Sequence, residues 1–260
     1  MKSSDLLTIS LIQTSLHWHD RAKNLEELSY KIQAVSQPTD LVILPEMFTS
    51  GFTMEPAEVA EFMDGETVAW MLDLAKRKNT AICGSIVITD GNNNYYNRFL
   101  FVEANGNISY YDKKHTFTLA GEDKVYKAGD SQTIIEYKGW KIYPLICYDL
   151  RFPVWSRNAF DYDLLLYVAN WPEPRVNAWD ALLKARAIEN MACCVGVNRI
   201  GKDANGHNYV GHSAVYDSLG KTLFFTDKEE SATLTLSKSD MQANREKLRF
   251  LEDRDKFTLK

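Results

Sequence analysis

No apolar run in this 260-residue chain is longer than the six residues from Leu164 to Ala169. A membrane-spanning helix needs about 20, so a membrane protein is not expected. The chain also lacks an excess of basic charge, since 30 Lys and Arg against 35 Asp and Glu leave a net charge of −5. Nucleic-acid binding draws most of its affinity from a basic face against phosphates, so that class is not expected either. The four cysteines, Cys83, Cys147, Cys193 and Cys194, form no C-x-x-C pair and no Cys/His cluster at zinc-ligand spacing. The opening MKSSDLL has no apolar stretch before its first acid, unlike a signal peptide. Together with the scattered cysteines, this reads as a reduced, cytoplasmic protein. Tracts rich in Pro, Gly or Ser are missing, and so are repeats and linkers. Residues 1–260 therefore read as one domain, ending in a charged helix and arm from about residue 239.

What remains is an ordinary globular composition, 45% hydrophobic and 25% charged, with enough chain to build a large core. Leu6 to Gln13 is rich in strand formers. Ala22, Leu25, Leu28, Ile32 and Val35 then step by three and four, one face of a helix. Leu41 to Leu44 is a continuous apolar run stopped by Pro45, the pattern of a strand buried on both faces. A second helix follows through Val68, Met71, Leu72 and Ala75. Three strands come next (81–89, 95–103 and 108–113), then a hairpin about Lys138-Gly139. Strands at 164–169 and 193–198 flank a helix at 178–191, and two short strands (213–216 and 222–225) precede the C-terminal helix. Helices between buried strands, with hairpins inserted, predict an α/β protein whose sheets are covered by outer helices.

Three strand ends carry chemistry. Ile146-Cys147-Tyr148-Asp149-Leu150-Arg151-Phe152-Pro153 puts a cysteine where a buried strand turns, with Pro153 suited to the first position of a helix. A sulfur there would lie near backbone N–H groups and a helix dipole, which favour a thiolate and an oxyanion site. Taken singly, such a cysteine is as readily a core residue. Leu44-Pro45-Glu46 places a carboxylate where open α/β folds form their crevices, although a charge after a buried run often just meets water. Lys113, in Asp112-Lys113-Lys114-His115-Thr116-Phe117, would by itself pass for a residue of a wet loop. His115 reads as a hydrogen-bonded structural histidine, because no second histidine lies at ligand spacing. Together the three ends supply a nucleophile (Cys147), a base (Glu46) and a cation for an oxyanion (Lys113).

These residues resemble the nitrilase superfamily of carbon–nitrogen hydrolases, with the Glu-Lys-Cys set in the family's order. Glu122, seven residues before Gly129-Asp130, matches the family's second glutamate. Tyr167 to Pro172 and Ala185 to Asn190 are most similar to the omega-amidase branch, whose members hydrolyse monoamides of short dicarboxylic acids such as 2-oxoglutaramate and succinamate. The resemblance implies a four-layer α-β-β-α sandwich, a homodimer or higher homo-oligomer, and neither a metal nor an organic cofactor. It also implies a mechanism. Glu46 takes the thiol proton, Cys147 attacks the amide carbon, and Lys113 with the Tyr148 N–H holds the oxyanion. Ammonia leaves, and water then hydrolyses a thioester. Glu122 either hydrogen-bonds Lys113 and Glu46 or helps place substrate.

Phe48, Phe117 and Trp171 follow directly on motif residues and are candidate pocket walls, though aromatics after strands are as often core. A distal substrate carboxylate asks for an arginine. Arg175, in a proline-stiffened loop, is preferred over Arg151, which Asp149 can claim, and over Arg186, which lies within a helix. Pro144 departs from the usual strand pattern and marks a bend or an edge. Other family activities, such as N-carbamoyl or aliphatic amide hydrolysis, remain open. So do a redox-cysteine protein and a non-enzymatic binding module on the same scaffold.

Overall fold

The computed structural model describes residues 5–259; Met1 to Ser4 of the opening read as leaderless, and Lys260, lie outside them. Among the described residues, no helix is long and apolar enough to cross a membrane. Strands β1 (Leu6–Gln13), β2 (Leu41–Ile43), β3 (Ala81–Thr89), β4 (Tyr95–Val102) and β5 (Ile108–Asp112) belong to the first sheet. The chain then builds a second sheet from β6 (Ile135–Tyr137), β7 (Trp140–Ile146), β8 (Leu164–Ala169) and β9 (Cys193–Asn198). A small hairpin of β10 (Ile200–Lys202) and β11 (Asn208–Val210) follows, and β12 (Ser213–Tyr216) and β13 (Thr222–Thr226) complete the second sheet. Finally β14 (Glu230–Ser237) returns to the first sheet and pairs antiparallel with β1 along its whole length.

The layers follow from side-chain alternation. In the first sheet Leu41, Ile43, Phe99 and Phe101 point inward, into one core with Trp140, Ile142 and Ile146 of the second sheet. Val42, Leu100 and Val102 point outward, against α1 (Arg21–Ala34) and the helix Glu66–Lys78. The helical face read from the sequence supplies Leu25, Leu28 and Ile32 to that layer. Trp179, Leu183 and Ala187, from the helix Val176–Asn190, cover the second sheet. Gly196 allows that helix to approach, since a Cβ there would sit 2.4 Å from Leu183 Cδ1. The result is the expected α-β-β-α sandwich.

Pro144 sits inside β7 at a point where only β8 flanks it, because pairing with β6 stops at Ile135 and Ile142. Its missing N–H therefore breaks no ladder on the β6 side. Strand β14 and the β10–β11 hairpin left no signal in the sequence. Strand β14 carries Ser and Thr on one face, where Thr233 and Thr235 hydroxyls meet Ser10 and Thr8 at 2.7 and 2.9 Å. That pattern hides its apolar residues, Leu234 and Leu236. The β10–β11 hairpin is too short for any periodicity to register.

Strands β2 and β3 run parallel, and β4 and β5 each reverse direction, so β2 and β5 end on the same side. Strands β7 and β8 run parallel as well. Glu46, Lys113, Cys147 and Asn170 follow the C-terminal ends of β2, β5, β7 and β8. These are the ends where such sheets form their crevices.

Candidate active site

Strand β7 gives way immediately after Ile146 to Cys147, whose φ of +45° is left-handed, a rare and strained state for a residue with a Cβ. What holds it there is Asp149. Its Oδ2 accepts the Ile146 N–H at 3.0 Å and the Tyr111 hydroxyl at 2.8 Å, and its Oδ1 accepts the His115 N–H at 3.0 Å. The His115 ring completes this, with Nδ1 2.7 Å from Asp149 and the ring stacked on Phe152 at 3.7 Å. His115 is thus a hydrogen-bonded structural residue, as expected, and it joins the lysine loop to the cysteine turn. The helix expected from Pro153 does not form. A 3-10 helix begins at Cys147 itself (Cys147–Arg151), and Pro153 opens irregular turns. Tyr148 lies in the first turn of that 3-10 helix, where an N–H has no acceptor within the helix.

Lys113 is fully buried. Its ammonium donates to Glu46 Oε1 at 2.9 Å and to Glu122 Oε1 and Oε2 at 3.0 and 2.9 Å. Burial alone would lower its pKa, but the carboxylates of Glu122 and Glu46 outweigh that and push it up, so Lys113 stays charged. Glu122 also accepts the Phe117 N–H at 2.5 Å. Burial pushes Glu122 up, Lys113 pulls it down, and the neighbouring Glu46 carboxylate adds to the upward push. Glu46 is clamped from the other sheet: its Oε2 accepts the Asn170 N–H at 2.7 Å, while Asn170 Nδ2 donates to its carbonyl at 2.5 Å. Asn97 Nδ2 donates to Glu46 Oε1 at 2.7 Å.

The Cys147 sulfur lies 3.9 Å from the carbonyl oxygen of Asn170, the residue whose N–H holds Glu46. Burial first, and then the Glu46 charge, raise its pKa well above the ordinary value, against the pull of Lys113. The turn therefore does not favour a resting thiolate as the sequence suggested. It holds a thiol, with a carboxylate in place to take the proton. Cys83, Cys193 and Cys194 are also pushed up by desolvation, and all three are buried in strands. Accessibility rather than acidity then separates the four. Iodoacetamide at neutral pH should label Cys147 first, at a rate that keeps rising past about pH 9. Mass spectrometry finding Cys83 or Cys193 labelled ahead of it would refute this.

A cavity of about 280 Å³ opens above the sulfur. Of the expected wall residues, Phe117, Tyr148, Trp171 and Arg175 line it. Phe48 does not. Met47, at φ +44°, turns the chain so that Phe48 packs fully buried in the helix-side core, 6.0 Å from the Trp70 ring. Its place is taken by Phe52, which lines the cavity with Lys113 Nζ 5.2 Å above its ring. Arg175 lies with its guanidinium 5.1 Å from the Phe117 centroid. Arg151 also lines the cavity, 4.9 Å above Trp171, because Asp149 is engaged elsewhere and does not claim it. Arg186 is structural, donating to the Leu150 carbonyl at 2.6 Å and to Glu189 at 2.8 Å.

Sequence reasoning missed Phe52, Met54, Asn97 and the hairpin residues Asp203, His207 and Tyr209 that roof the cavity. Only Asn97 left a signal. It shares the inward face of β4 with Phe99 and Phe101, where a polar residue needs a reason.

A carboxylate, an ammonium, a second carboxylate and a thiol, gathered under one small cavity, form a set suited to cysteine-dependent acyl transfer. The carbon–nitrogen hydrolase model matches residues 8–246, so the chain belongs to the carbon–nitrogen hydrolase family. Its relatives are specific. It is 45% identical to omega-amidase YafV of Escherichia coli (strain K12), over 97% of this chain and 98% of that one. It is 30% identical to 2-oxoglutaramate amidase of Bacillus subtilis (strain 168), over 92% and 93% of the two chains. Among solved structures it resembles XC1258 from Xanthomonas campestris, a CN-hydrolase superfamily protein with an arsenic adduct in its active site. That match has a TM-score of 0.95 and 43% identity, covering 98% of this chain and 99% of that one.

Proposed function

We propose that this amidohydrolase cleaves the terminal amide of short dicarboxylic acid monoamides, releasing ammonia through a thioester on Cys147. Glu46 takes the thiol proton, and Cys147 attacks. The Lys113 ammonium and the Tyr148 N–H receive the oxyanion, which is where preorganised donors act most strongly. Glu46 returns its proton to the leaving nitrogen, then activates the water that frees the acid. Glu122 keeps Lys113 aimed. The observation that carries the substrate class is the pair of arginines, Arg151 and Arg175, on a cavity too small for a large ligand. Both stack on aromatic rings with their forks available to a carboxylate. Omega-amide activity in two of the relatives supports the same reading. In keeping with the family resemblance, we read the protein as a homodimer or higher homo-oligomer acting without a metal or cofactor, and its unpaired cysteines support a cytoplasmic location.

Ammonia release from a panel of dicarboxylic monoamides, N-carbamoyl amino acids and nitriles tests the substrate class; preference for either of the latter two would displace it. Arg175→Ala should raise KM for succinamate by at least about tenfold, the loss of 1.4 kcal/mol. Turnover of butyramide, which has no distal charge, should hardly change. Equal losses on both substrates, or no loss on either, would remove Arg175 from the site.

A further inference from the structure

Asn97 belongs to none of the motifs, yet it touches all three groups around the base. Its carbonyl accepts the Lys113 N–H at 3.0 Å, and its Nδ2 reaches Glu46 Oε1 at 2.7 Å and, more weakly, Glu122 Oε1 at 3.4 Å. Its own Oδ1 is buried without a partner. A half-satisfied buried amide is costly, so the side chain is retained for what Nδ2 does.

A carboxylate offers about four lone-pair sites. On Glu46, Asn97 Nδ2 and Lys113 Nζ occupy both sites of Oε1, and the Asn170 N–H occupies one of Oε2. One site on Oε2 is left, and Asn170, which donates to that oxygen, has its carbonyl 3.9 Å from the Cys147 sulfur.

We propose that Asn97 is a positioning residue that fills Glu46 Oε1 and so confines the travelling proton to Oε2. This rests on the reading of Glu46 as the proton carrier. During attack the thiol proton moves to Oε2, the sulfur bonds to the amide carbon, and the carbonyl π pair moves onto oxygen. When that pair re-forms the C=O bond, the C–N bond breaks, and the same proton passes from Oε2 to the nitrogen, which leaves as ammonia. Without Asn97 the proton has a second resting place on Oε1, turned away from the leaving group. An amide nitrogen cannot depart without that proton. A thiolate can.

The test compares kcat/KM, which covers the steps through acylation, for succinamate and for the S-methyl monothioester of succinate. Asn97→Leu should lose at least about 30-fold on the amide but less than about threefold on the thioester, a gap of the size general acid catalysis supplies. Asn97→Ser, a smaller change, should show the same bias at reduced size, and it carries the comparison alone if the leucine variant does not fold. Equal losses on the two substrates would overturn the proposal, because a distorted site slows both alike. Glu46→Gln separates this from the reading beneath it: loss on both substrates supports Glu46 as carrier, whereas surviving amide turnover would remove that reading and Asn97's role with it.

Discussion

Cys147→Ala abolishes turnover while leaving the fold in place. The substitution keeps the Cβ, so the left-handed backbone at φ +45° is no more strained than before. It removes only the long sulfur contact with the Asn170 carbonyl at 3.9 Å and keeps the bonds by which Asp149 holds the turn through Ile146, Tyr111 and His115. What disappears is, among the described residues, the one cysteine sulfur that lines the cavity. Cys83, Cys193 and Cys194 are buried within strands and cannot substitute for it. Activity should fall below about one per cent of wild type, since covalent catalysis leaves no second route of that size. Ammonia release measured alongside a thermal melt checks both halves of this result. Residual activity above that level in a folded variant would sink the assignment.

Lys113→Met has the second-largest effect. Losing one oxyanion donor lowers kcat by about 10² to 10³, and here the loss goes further. Lys113 is the cation between two buried carboxylates, at 2.9 Å from each. Without it Glu46 and Glu122 face each other uncompensated, a change that costs about 3–5 kcal/mol when one partner of a buried pair is removed. The expected result is therefore a kcat fall of at least about 10²-fold together with a lowered melting temperature, while KM moves much less. Lys114→Met is the control. Its ammonium stacks outside the cavity, 5.3 Å above Trp155, and its removal should be nearly silent. A variant in which only KM rises would make Lys113 a substrate-binding residue.

Glu46, Lys113 and Cys147 were legible because each directly follows, or nearly follows, a strand whose apolar run announces its end. Charge at the end of a buried run is informative when several such ends converge. Glu122 was visible only through a family pattern, for it sits in a four-residue helix that has no periodicity of its own. Side-chain direction was harder. Phe48 follows the Glu46 motif and was the expected wall, but left-handed turns at Met47 and Gly51 bury it and leave Phe52 on the cavity. The thiol's protonation state was also out of reach, since it depends on burial and on a carboxylate 101 positions away in the chain (147 − 46). The Asp149 network was misassigned for a similar reason: Arg151 is its neighbour in sequence, but Tyr111 and His115 are its neighbours in space.

The clamp of Asn170 on Glu46 has one more consequence. Glu46 and Lys113 are carried by the first sheet and Cys147 and Asn170 by the second, so neither sheet alone holds the complete catalytic set. Its geometry is fixed by how Phe99, Phe101, Ile142 and Ile146 interlock between the sheets. Because displacements of about 1 Å cost about 10²-fold in rate, natural selection for turnover acts on those core residues as surely as on the cysteine. The inter-sheet packing should therefore drift as slowly in evolution as the chemistry it supports.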